Sequence, residues 1–451
     1  MQKPLLTFYG DDFTGSSAVM EVLAFAGVPT AMFLDVPSPA LLAKLEDIRA
    51  FGIAGIARSQ TPAWMDTELP RYFSALRALG APLLHYKTCS TFDSSPTLGS
   101  IGRATEIGLR TTGASWAPLV VGAPEIGRYQ MFGTLFAAFN GEVHRLDRHP
   151  VMSRHPATPM HEADLCRHLD GQTDLAKAVI NWRTLNAGKG TEAIARARED
   201  GASILALDVF DELTLAETGR LIWESAAKAP VFAVGSQGVE YALVAHWRRI
   251  GLLPAKRPAL PLGAASPLLV VSGSCSIITA GQIAAAEAAG FVTLALDAVQ
   301  AITPDSWARE LERVGARVLA ALGQGRNVLV HTARGPDDPA ITALTMALAE
   351  SGAEPTAVHA RIGGGLGALV RQARLATGLK RAIFSGGDTS GHAMLALGAE
   401  ALVPVAPLAN GVPLLQVRSS EVAFDGLELA LKGGQMGEAD LFVRAATGRA
   451  S

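Results

Sequence analysis

The stretch LLTFYGDDFTGSS, residues 5–17, contains a strand, a charged edge and a helix start, and the fold is predicted outward from it. An apolar run typical of a buried strand ends at Gly10, two aspartates follow, and the hydroxyls of TGSS can cap a helix. Ligands of open α/β sheets bind at the carboxyl ends of strands. Capping explains one carboxylate, but adjacent carboxylates repel one another. We therefore predict that Asp11 and Asp12 accept hydrogen bonds from ligand hydroxyls or take a proton from one.

The same alternation of strand and helix continues along the whole chain. Short apolar runs such as LLHY, SILALDV and PLLVVSG are separated by helix-length segments, several of which end in glycine. Hydrophobic residues make up 49% of the chain and charged residues only 18%, which suits buried parallel strands. The sequence therefore predicts an α/β protein with two domains, each with a mainly parallel sheet flanked by helices.

A domain boundary is predicted in the segment 252–267. The chain has 451 residues, which is too long for one ordinary core. In this segment proline, alanine and glycine replace the periodic pattern. We predict one domain over residues 1–255 and a second over residues 265–451.

Composition excludes several classes of protein. The formal net charge is -3, so no basic surface indicates a nucleic-acid partner. The three cysteines lie far apart and the histidines lack the spacing of metal ligands, so neither a disulfide framework nor a zinc site is indicated. The sequence shows no leader peptide and no apolar stretch of membrane-spanning length. We expect a soluble, cytoplasmic protein without a membrane partner.

One segment departs from the alternation of strands and helices. YQMFGTLFAAFNGEVHRL has apolar stretches on either side of Asn140-Gly141, a strong hairpin signal. Residues 147–165, which follow, are rich in proline and histidine and have no periodicity. We predict a hairpin and then an irregular excursion over the first domain, near its ligand.

A second polar stretch, KTCSTFDSS, begins at Lys87 where another apolar strand ends. Its cation and hydroxyls suit a small polyhydroxylated anion, although an ordinary Ser/Thr-rich loop explains its last two serines. Lys87 is harder to explain in this way, because it closes an apolar strand. Arg58 and Arg128 also follow strand-like runs, and arginine binds carboxylates in a bidentate manner. A single such arginine is more often a solvated surface residue.

Glycine-rich turns follow three strands of the C-terminal part. They read SGSCS, SGGDTSG and KGGQMG in chain order. Small residues let main-chain N–H groups approach phosphates at helix N-termini, so three such turns in one domain predict a phosphate site. Asp388 in the second turn either holds Mg²⁺ through water or caps its helix. Neither a P-loop nor a G-x-G-x-x-G motif occurs, which disfavours a nicotinamide enzyme.

These stretches together resemble the four-carbon acid sugar kinase family. The resemblance implies an N-terminal domain that binds a sugar acid and a C-terminal domain that binds ATP. Its motifs, in order, are DDFTG (Asp11–Gly15), KTCSTFDS (Lys87–Ser94), APEIGR (Ala123–Arg128), SGSCS (Ser272–Ser276), GGDTSG (Gly386–Gly391) and KGGQMG (Lys432–Gly437). The implied contacts to the sugar acid are Asp11, Asp12, Arg58, Lys87, Thr88, Cys89 and Ser90. The implied contacts to ATP are Ser274, Gly386, Gly387, Asp388, Thr389 and Gly434.

The resemblance also implies the reaction. We expect an ATP-dependent kinase of carbohydrate metabolism that phosphorylates a terminal hydroxyl of a small sugar acid, with Mg²⁺ offsetting the phosphate charge. Asp12 is predicted to be the catalytic base, and Lys87 and Arg58 are predicted to face the substrate carboxylate. Phe92 and the residue after it resemble members that act on 3-oxo-tetronate, whereas SSPTLGSIGR is similar to members that act on 3-oxo-isoapionate.

Two alternatives come from other functional classes. One is a nucleotide-dependent oxidoreductase of a sugar acid, and the other is a non-catalytic sugar-acid sensor. The three glycine-rich turns disfavour the sensor, because ligand sensing alone needs no phosphate cradle. Besides the small molecules, the predicted partner is a second copy of the chain in a homo-oligomer.

Overall fold

The computed structural model divides into two compact units, residues 1–257 and 258–451. The division falls inside the segment 252–267 in which the domain boundary is predicted. The residues that the structure describes are 3–45, 47–139, 141–154, 158–255, 262–386, 393–394, 396–409 and 411–448.

The N-terminal unit contains a large parallel sheet and a small antiparallel sheet. Its strands are β1 (Leu6–Gly10), β2 (Thr30–Phe33), β3 (Ala50–Ala54), β4 (Leu83–Lys87), β5 (Ala117–Val120), β6 (Arg128–Met131), β7 (Thr134–Phe139), β8 (Glu142–Arg145), β9 (Lys177–Ile180), β10 (Ile204–Leu207) and β11 (Val231–Gly235). The parallel sheet has the order β2-β3-β1-β4-β11-β5-β10-β9, and the antiparallel sheet has the order β6-β7-β8.

Helices connect most of the parallel strands, as the alternating pattern predicts. Several begin at a capping side chain, and Asp12, Thr61 and Ser100 each accept the N–H of the residue three positions on. Gly27 and Gly113 end two helices in the left-handed conformation. The helices of this unit are α1 (Phe13–Ala26), α2 (Pro39–Ala43), α3 (Pro62–Ala78), α4 (Ile101–Thr112), α5 (Leu165–Asp170), α6 (Trp182–Asn186), α7 (Gly190–Glu199), α8 (Glu212–Ala226) and α9 (Gly238–Arg249).

The core of the N-terminal unit lies around its central strands. Every residue of β1, β3, β4 and β11 is buried, which is the expected state of parallel strands covered on both faces. Aromatic side chains pack between these strands and α3. The Tyr9 and Tyr86 rings stack with centroids 6.0 Å apart, and Phe73 meets Phe232 edge-on at 5.2 Å. This packing fixes the strand ends from which the polar residues project.

The strand order reverses between β1 and β4. β3 and β2 lie outward of β1, whereas β11 and β5 lie outward of β4. Ligands of open α/β sheets bind at such a reversal. Asp11 and Asp12 directly follow β1, Lys87 ends β4, and Arg58 lies just after β3. The topology therefore brings these predicted site residues to one edge of the sheet.

The predicted hairpin is confirmed, because β7 and β8 pair antiparallel with Phe139 opposite Glu142. Gly141 in the turn has a φ of 84°, which a glycine adopts without strain, and Asn140 lies outside the described residues. The described part of the following segment contains the short 3₁₀ turns Leu146–Arg148 and Met152–Arg154, and it ends where Asp164 pairs with Thr134 of β7 and caps α5. Its position near a ligand stays a prediction.

The C-terminal unit also contains a mainly parallel sheet. Its strands are β12 (Leu268–Ser272), β13 (Val292–Ala295), β14 (Val328–His331), β15 (Arg381–Ser385), β16 (Ala401–Ala409), β17 (Val412–Arg418) and β18 (Glu428–Lys432). The order is β13-β14-β12-β15-β18-β17-β16, parallel from β13 to β18 and antiparallel from β18 to β16. The order reverses between β12 and β15, and the three glycine-rich turns follow β12, β15 and β18 at this edge.

The helices of the C-terminal unit complete a second α/β layer structure. They are α10 (Ile277–Ala288), α11 (Pro304–Gly323), α12 (Pro339–Ser351), α13 (Pro355–Thr377) and α14 (Leu441–Thr447). The apolar faces of α10 and α14 pack on the sheet through Ile283 and Phe442. The predicted fold class is therefore confirmed. Within the described ranges, no helix combines the length and apolarity needed to cross a bilayer.

Candidate active site

Arg58 lies between the two adjacent aspartates of the N-terminal unit. Its Nη2 and Nε donate to the two Asp11 carboxylate oxygens at 2.8 and 3.3 Å. Its Nη1 donates to Asp12 Oδ2 at 2.9 Å, and Nη2 also lies 2.8 Å from Asp12 Oδ1. The main chain sets this arrangement, because the Arg58 N–H donates to the Asp11 carbonyl at 3.0 Å. The guanidinium offsets the repulsion that adjacent carboxylates would otherwise suffer.

Asp12 is also the N-cap of α1. Its Oδ1 accepts the Gly15 N–H at 2.8 Å, so the cap is this carboxylate and not one of the hydroxyls in the TGSS segment. The Ser16 hydroxyl instead donates to the Asp12 carbonyl at 2.6 Å. The Asp12 side chain is 28% exposed and the Asp11 side chain only 2%. Of the pair, Asp12 is the carboxylate that an incoming hydroxyl can reach.

Burial and the arginine act in opposite directions on Asp11. Burial raises the pKa of the Asp11 carboxyl, while Arg58 lowers it and Asp12 raises it further. Burial lowers the pKa of the Arg58 guanidinium, but Asp11 and Asp12 outweigh this and leave that pKa well above its ordinary value. The arginine therefore stays charged. The edge carries two acidic groups that this cation balances only in part.

Lys87 reaches the same edge from β4. It is only 2% exposed, and its Nζ donates to the Thr88 carbonyl at 2.6 Å. A Cβ on Gly15 would lie 2.4 Å from Asp12 Oδ1 and 2.8 Å from Lys87 Nζ. Only glycine lets the first turn of α1 approach both charged groups so closely. The DDFTG motif therefore places a main-chain surface directly against a carboxylate and an ammonium group.

The loop after β4 is a chain of hydrogen bonds. The Thr88 N–H donates to the Gly235 carbonyl at 2.7 Å, which ties the loop to β11. Cys89 Sγ lies 2.9 Å from Thr91 Oγ1, and this hydroxyl donates to Asp93 Oδ1 at 2.7 Å. Burial raises the pKa of the Cys89 thiol, so it is protonated at neutral pH. Ser90 is half-buried in the same loop. Thr88, Cys89 and Ser90 directly follow Lys87 in this loop, and their contacts to a sugar acid stay predictions.

A histidine that the sequence analysis did not assign holds this loop in place. His168 Nε2 lies 2.8 Å from Ser94 Oγ, which also accepts Gln172 Nε2 at 2.9 Å. The ring of Phe92, a buried residue with a positive φ of 58°, lies 5.5 Å from the imidazole. Nothing in the spacing of the histidines indicates this role, because the contact spans 74 residues.

Serine and threonine hydroxyls line the corresponding edge of the C-terminal unit. Ser276 caps α10 by accepting the Thr279 N–H at 3.0 Å, and its own hydroxyl donates to the Gly434 carbonyl. Thr279 Oγ1 donates to Ser274 Oγ at 3.0 Å. A Cβ on Gly434 would lie 2.9 Å from Ser274 Oγ. We call Ser274, Ser276, Thr279 and Gly434 the hydroxyl cradle, and the sequence analysis had placed two of them in the site.

Lys432 lies beneath the hydroxyl cradle and is a residue that the predicted site lacks. It is 1% exposed, and its Nζ donates to Thr279 Oγ1 at 2.9 Å and to the carbonyls of Gly433 and Gly434 at 3.0 and 3.2 Å. Burial lowers the pKa of this ammonium group to about 8. No carboxylate of the described residues pairs with it. The signal that could have identified it is its position, since Lys87 also closes an apolar strand.

The second glycine-rich turn is described only at its start. The Gly386 N–H donates to the Lys432 carbonyl at 2.9 Å, and its φ of 136° is one that favours glycine. Gly387, Asp388 and Thr389 lie outside the described residues, so their predicted contacts to ATP stay predictions. The described part shows that the turns after β12, β15 and β18 meet at one sheet edge.

Two family models match the chain. Residues 6–243 match a sugar-binding N-terminal domain, and residues 269–442 match a nucleotide-binding C-terminal domain. The chain belongs to the four-carbon acid sugar kinase family. This confirms the predicted family and the predicted enzyme class, that of a sugar-acid kinase. It also agrees with the separation of a carboxylate-rich edge from a hydroxyl cradle.

Curated relatives and a solved structure resemble this chain over almost its whole length. A 3-oxo-isoapionate kinase of Paraburkholderia graminis is 47% identical over 451 residues, covering 99% of this chain and 94% of the relative. A 3-oxo-tetronate kinase of Cupriavidus necator is 30% identical over 445 residues, covering 98% and 96%. A crystal structure from Salmonella typhimurium LT2, provisionally described as a tRNA synthase, has a TM-score of 0.80 at 25% identity and covers 98% of both chains.

Proposed function

We propose that this enzyme transfers the γ-phosphoryl group of ATP to a terminal hydroxyl of 3-oxo-isoapionate, with 3-oxo-tetronate as the less favoured substrate. The substrate choice is supported by the 47% identity to the Paraburkholderia graminis enzyme, against 30% or so for the 3-oxo-tetronate kinases. The observation that carries the transfer itself is the hydroxyl cradle above a buried lysine that pairs with no carboxylate of the described residues. Such a site suits a phosphate chain, because it offers donors and a positive charge without a competing carboxylate.

The N-terminal domain, predicted over residues 1–255, is proposed to bind the sugar acid. Thr88, Cys89 and Ser90 are proposed to exchange hydrogen bonds with hydroxyls of this small substrate. Asp11 is proposed to act mainly by holding Arg58, because its carboxylate is almost fully covered. Lys87 adds positive charge under the same edge. These roles agree with the geometry of the described contacts.

Asp12 is proposed to be the catalytic base. Its partly exposed carboxylate would accept the hydrogen bond of the attacking hydroxyl and take the proton as the oxygen bonds to the γ-phosphorus. The bond between the γ-phosphorus and the bridging oxygen breaks, and ADP leaves with the electron pair. Arg58 holds the Asp12 carboxylate in position for this step. Positioning and charge stabilisation supply most of the rate, since phosphoryl transfer requires little covalent chemistry from the protein.

The C-terminal domain, predicted over residues 265–451, is proposed to bind ATP. Ser274 and the main-chain N–H groups around Gly434 are proposed to donate to phosphate oxygens, with Lys432 below them and the N-terminus of α10 beside them. Gly386 begins the second turn of this edge, and Gly387, Asp388 and Thr389 are proposed to continue it. The hydroxyl donors and the lysine fit a phosphate chain. Any larger residue in place of Gly434 would put its Cβ into the hydroxyl cradle.

Mg²⁺ is proposed to enter together with the nucleotide. Protein-bound Mg²⁺ commonly keeps several waters and is held by one or two carboxylates and by substrate phosphates. Among the described residues, no three metal-ligating side chains cluster. Asp388 remains the candidate carboxylate, through water or as a helix cap. The ion would offset the negative charge on the β- and γ-phosphates.

Two further expectations accompany this proposal. The enzyme is expected to be cytoplasmic and to form a homo-oligomer. The described structure tests neither, and both stay predictions.

A coupled assay tests the proposed function. Purified enzyme with Mg-ATP should release ADP rapidly with 3-oxo-isoapionate, more slowly with 3-oxo-tetronate, and at background rate without a sugar acid. Phosphorus and proton NMR of the product should show a phosphate ester on a terminal carbon. Reduction of NAD⁺ by the sugar acid without ADP release would instead support an oxidoreductase, and tight binding without any turnover would support a sensor.

A further inference from the structure

Arg58 and Lys87, which the sequence analysis assigned to the substrate carboxylate, are already occupied in the structure. Arg58 makes hydrogen bonds to both aspartates through Nε, Nη1 and Nη2. Lys87 Nζ donates to a main-chain carbonyl and is 2% exposed. A substrate carboxylate placed here would also approach Asp11 and Asp12, which carry the same charge. The carboxylate therefore needs another cation in the N-terminal unit.

Arg128 has no carboxylate partner among the described residues. Its Nη1 donates to the carbonyls of Ile126 and Gly127 at 3.3 and 3.2 Å, both long for hydrogen bonds of this kind. Its Nε is buried and has no hydrogen-bond partner. A buried guanidinium N–H without an acceptor is costly, because nothing replaces its lost hydration. The two long hydrogen bonds both use Nη1, so they satisfy only part of the guanidinium group.

The main chain around Arg128 is held rigidly. Its N–H and carbonyl both pair with Ala123, at 3.1 and 2.8 Å, where β6 begins. Gly127 adopts a φ of 67° and its carbonyl accepts the Ala138 N–H at 2.8 Å. The left-handed conformation at Gly127 turns the chain from the 3₁₀ helix Pro124–Ile126 into β6. The APEIGR motif thus fixes the position of the main chain from which the Arg128 side chain extends.

The side chain of Arg128 lies near the loop that follows β4. Burial lowers its pKa, and the neighbouring Cys89 and Asp93 side chains act to raise it, which places the guanidinium close to that loop. On the other side, Arg128 contributes to the lowered pKa of His149, although burial of the imidazole contributes more. A partly buried cation at the start of β6 in the small antiparallel sheet thus lies near the Cys89 loop, in the same unit as Asp12.

We propose that Arg128 binds the carboxylate of the sugar acid through the guanidinium N–H groups that no described residue uses. The inference rests on the proposed sugar-acid substrate and deepens it, because it assigns the end of the molecule opposite to the phosphorylated hydroxyl. Arginine matches a planar carboxylate in a bidentate manner, and the resulting ion pair would satisfy the unpaired Nε. Arg58 is then a positioning residue that organises Asp11 and Asp12.

The test measures by calorimetry, without nucleotide, how tightly 3-oxo-isoapionate and its neutral carboxamide bind. The proteins compared are wild type, Arg128→Met and Arg128→Lys. Wild type should prefer the acid. Arg128→Met should bind the acid about a hundredfold more weakly, since truncating one partner of a buried charge pair is costly, and should lose the preference over the amide. Arg128→Lys should bind the acid about tenfold more weakly, because it retains the charge but not the bidentate geometry.

Arg167→Met is the matched control, because this arginine of the same unit is 74% exposed, and it should bind like wild type. Thermal unfolding checks that each variant is folded. If Arg128→Met does not fold, the comparison of Arg128→Lys with wild type decides the test. The inference is overturned if the Arg128 variants keep the wild-type preference for the acid. If wild type itself binds no sugar acid, the proposed function fails first, and the inference with it. Kinetics should agree, with KM for the acid raised and KM for ATP unchanged.

Discussion

Lys87 and Lys432 end buried parallel strands in the two units and are almost equally covered, at 2% and 1% exposed. Their surroundings differ. Lys87 lies at an edge that already contains Asp11, Asp12 and Arg58, and its charge acts on Asp11. Lys432 faces hydroxyls and main-chain carbonyls from α10, β15 and its own turn, and no carboxylate of the described residues.

This difference separates the chemistry of the two edges. The N-terminal edge balances most of its charge internally and leaves one partly exposed carboxylate, as expected where a hydroxyl is deprotonated. The C-terminal edge contains a buried lysine that no carboxylate of the described residues balances, as expected where a phosphate chain binds. Variants that change one edge and leave the other intact test whether the two edges have separate roles.

Asp12→Asn should have the largest effect. If Asp12 is the base, kcat should fall about a thousandfold, within the range for general-base removal. The midpoint of thermal unfolding should change little, because asparagine caps a helix as well as aspartate. Asp211→Asn is the matched control, since Asp211 caps α8 in the same unit by the same type of bond. A variant with near-normal kcat would exclude Asp12 as the base.

Lys432→Met should come next, with the KM for ATP raised about a hundredfold and the KM for the sugar acid unchanged. Without nucleotide, the variant should be as stable as wild type or up to about 2 kcal/mol more stable, because a buried charge without a counterion is removed. Lys380→Met, at an exposed position of the same unit, is the control. Weakened sugar-acid binding with normal ATP binding would reverse the assignment of the two edges.

Gly434→Val should weaken nucleotide binding about tenfold, because a Cβ at this position lies 2.9 Å from Ser274 Oγ and occupies the hydroxyl cradle. Fluorescence titration with a labelled ADP measures the effect. Gly364→Val is a suitable control, since nothing lies within 4 Å of a Cβ there. Equal losses in both variants would point to general destabilisation of the C-terminal unit.

The smallest effect is a pH dependence from Lys432, whose pKa burial lowers to about 8. Below this pH the lysine is charged in both the folded and the unfolded chain, and the burial cost is fully present. As the pH rises through about 8 the folded chain releases the proton first, so stability rises. Because phosphate favours the charged form, ADP affinity should fall by up to tenfold per pH unit above pH 8. Lys432→Arg should abolish this dependence, and a wild-type affinity that is flat from pH 7 to 9 would contradict it.

The sequence predicted the two α/β units, the hairpin at Gly141 and several of the residues that meet at each sheet edge, because strand ends and turn residues are local signals. It did not predict that Arg58 bridges both aspartates or that His168 holds the loop after β4. Those contacts join residues 46 to 74 positions apart, and only the folded chain shows them. Lys432 was missed for another reason. Its motif was recognised, but the sequence does not show that Lys432 is buried without a carboxylate partner. That environment is formed by α10, β15 and β18, which lie far apart in the chain.

A crystal structure of the enzyme with ADP and sugar acid tests the central claim most directly. The account predicts diphosphate oxygens within hydrogen-bond distance of Ser274 and the Gly434 main chain, near Lys432, and a sugar hydroxyl beside Asp12. A diphosphate bound at the Asp11 and Arg58 edge, with the hydroxyl cradle empty, would contradict it.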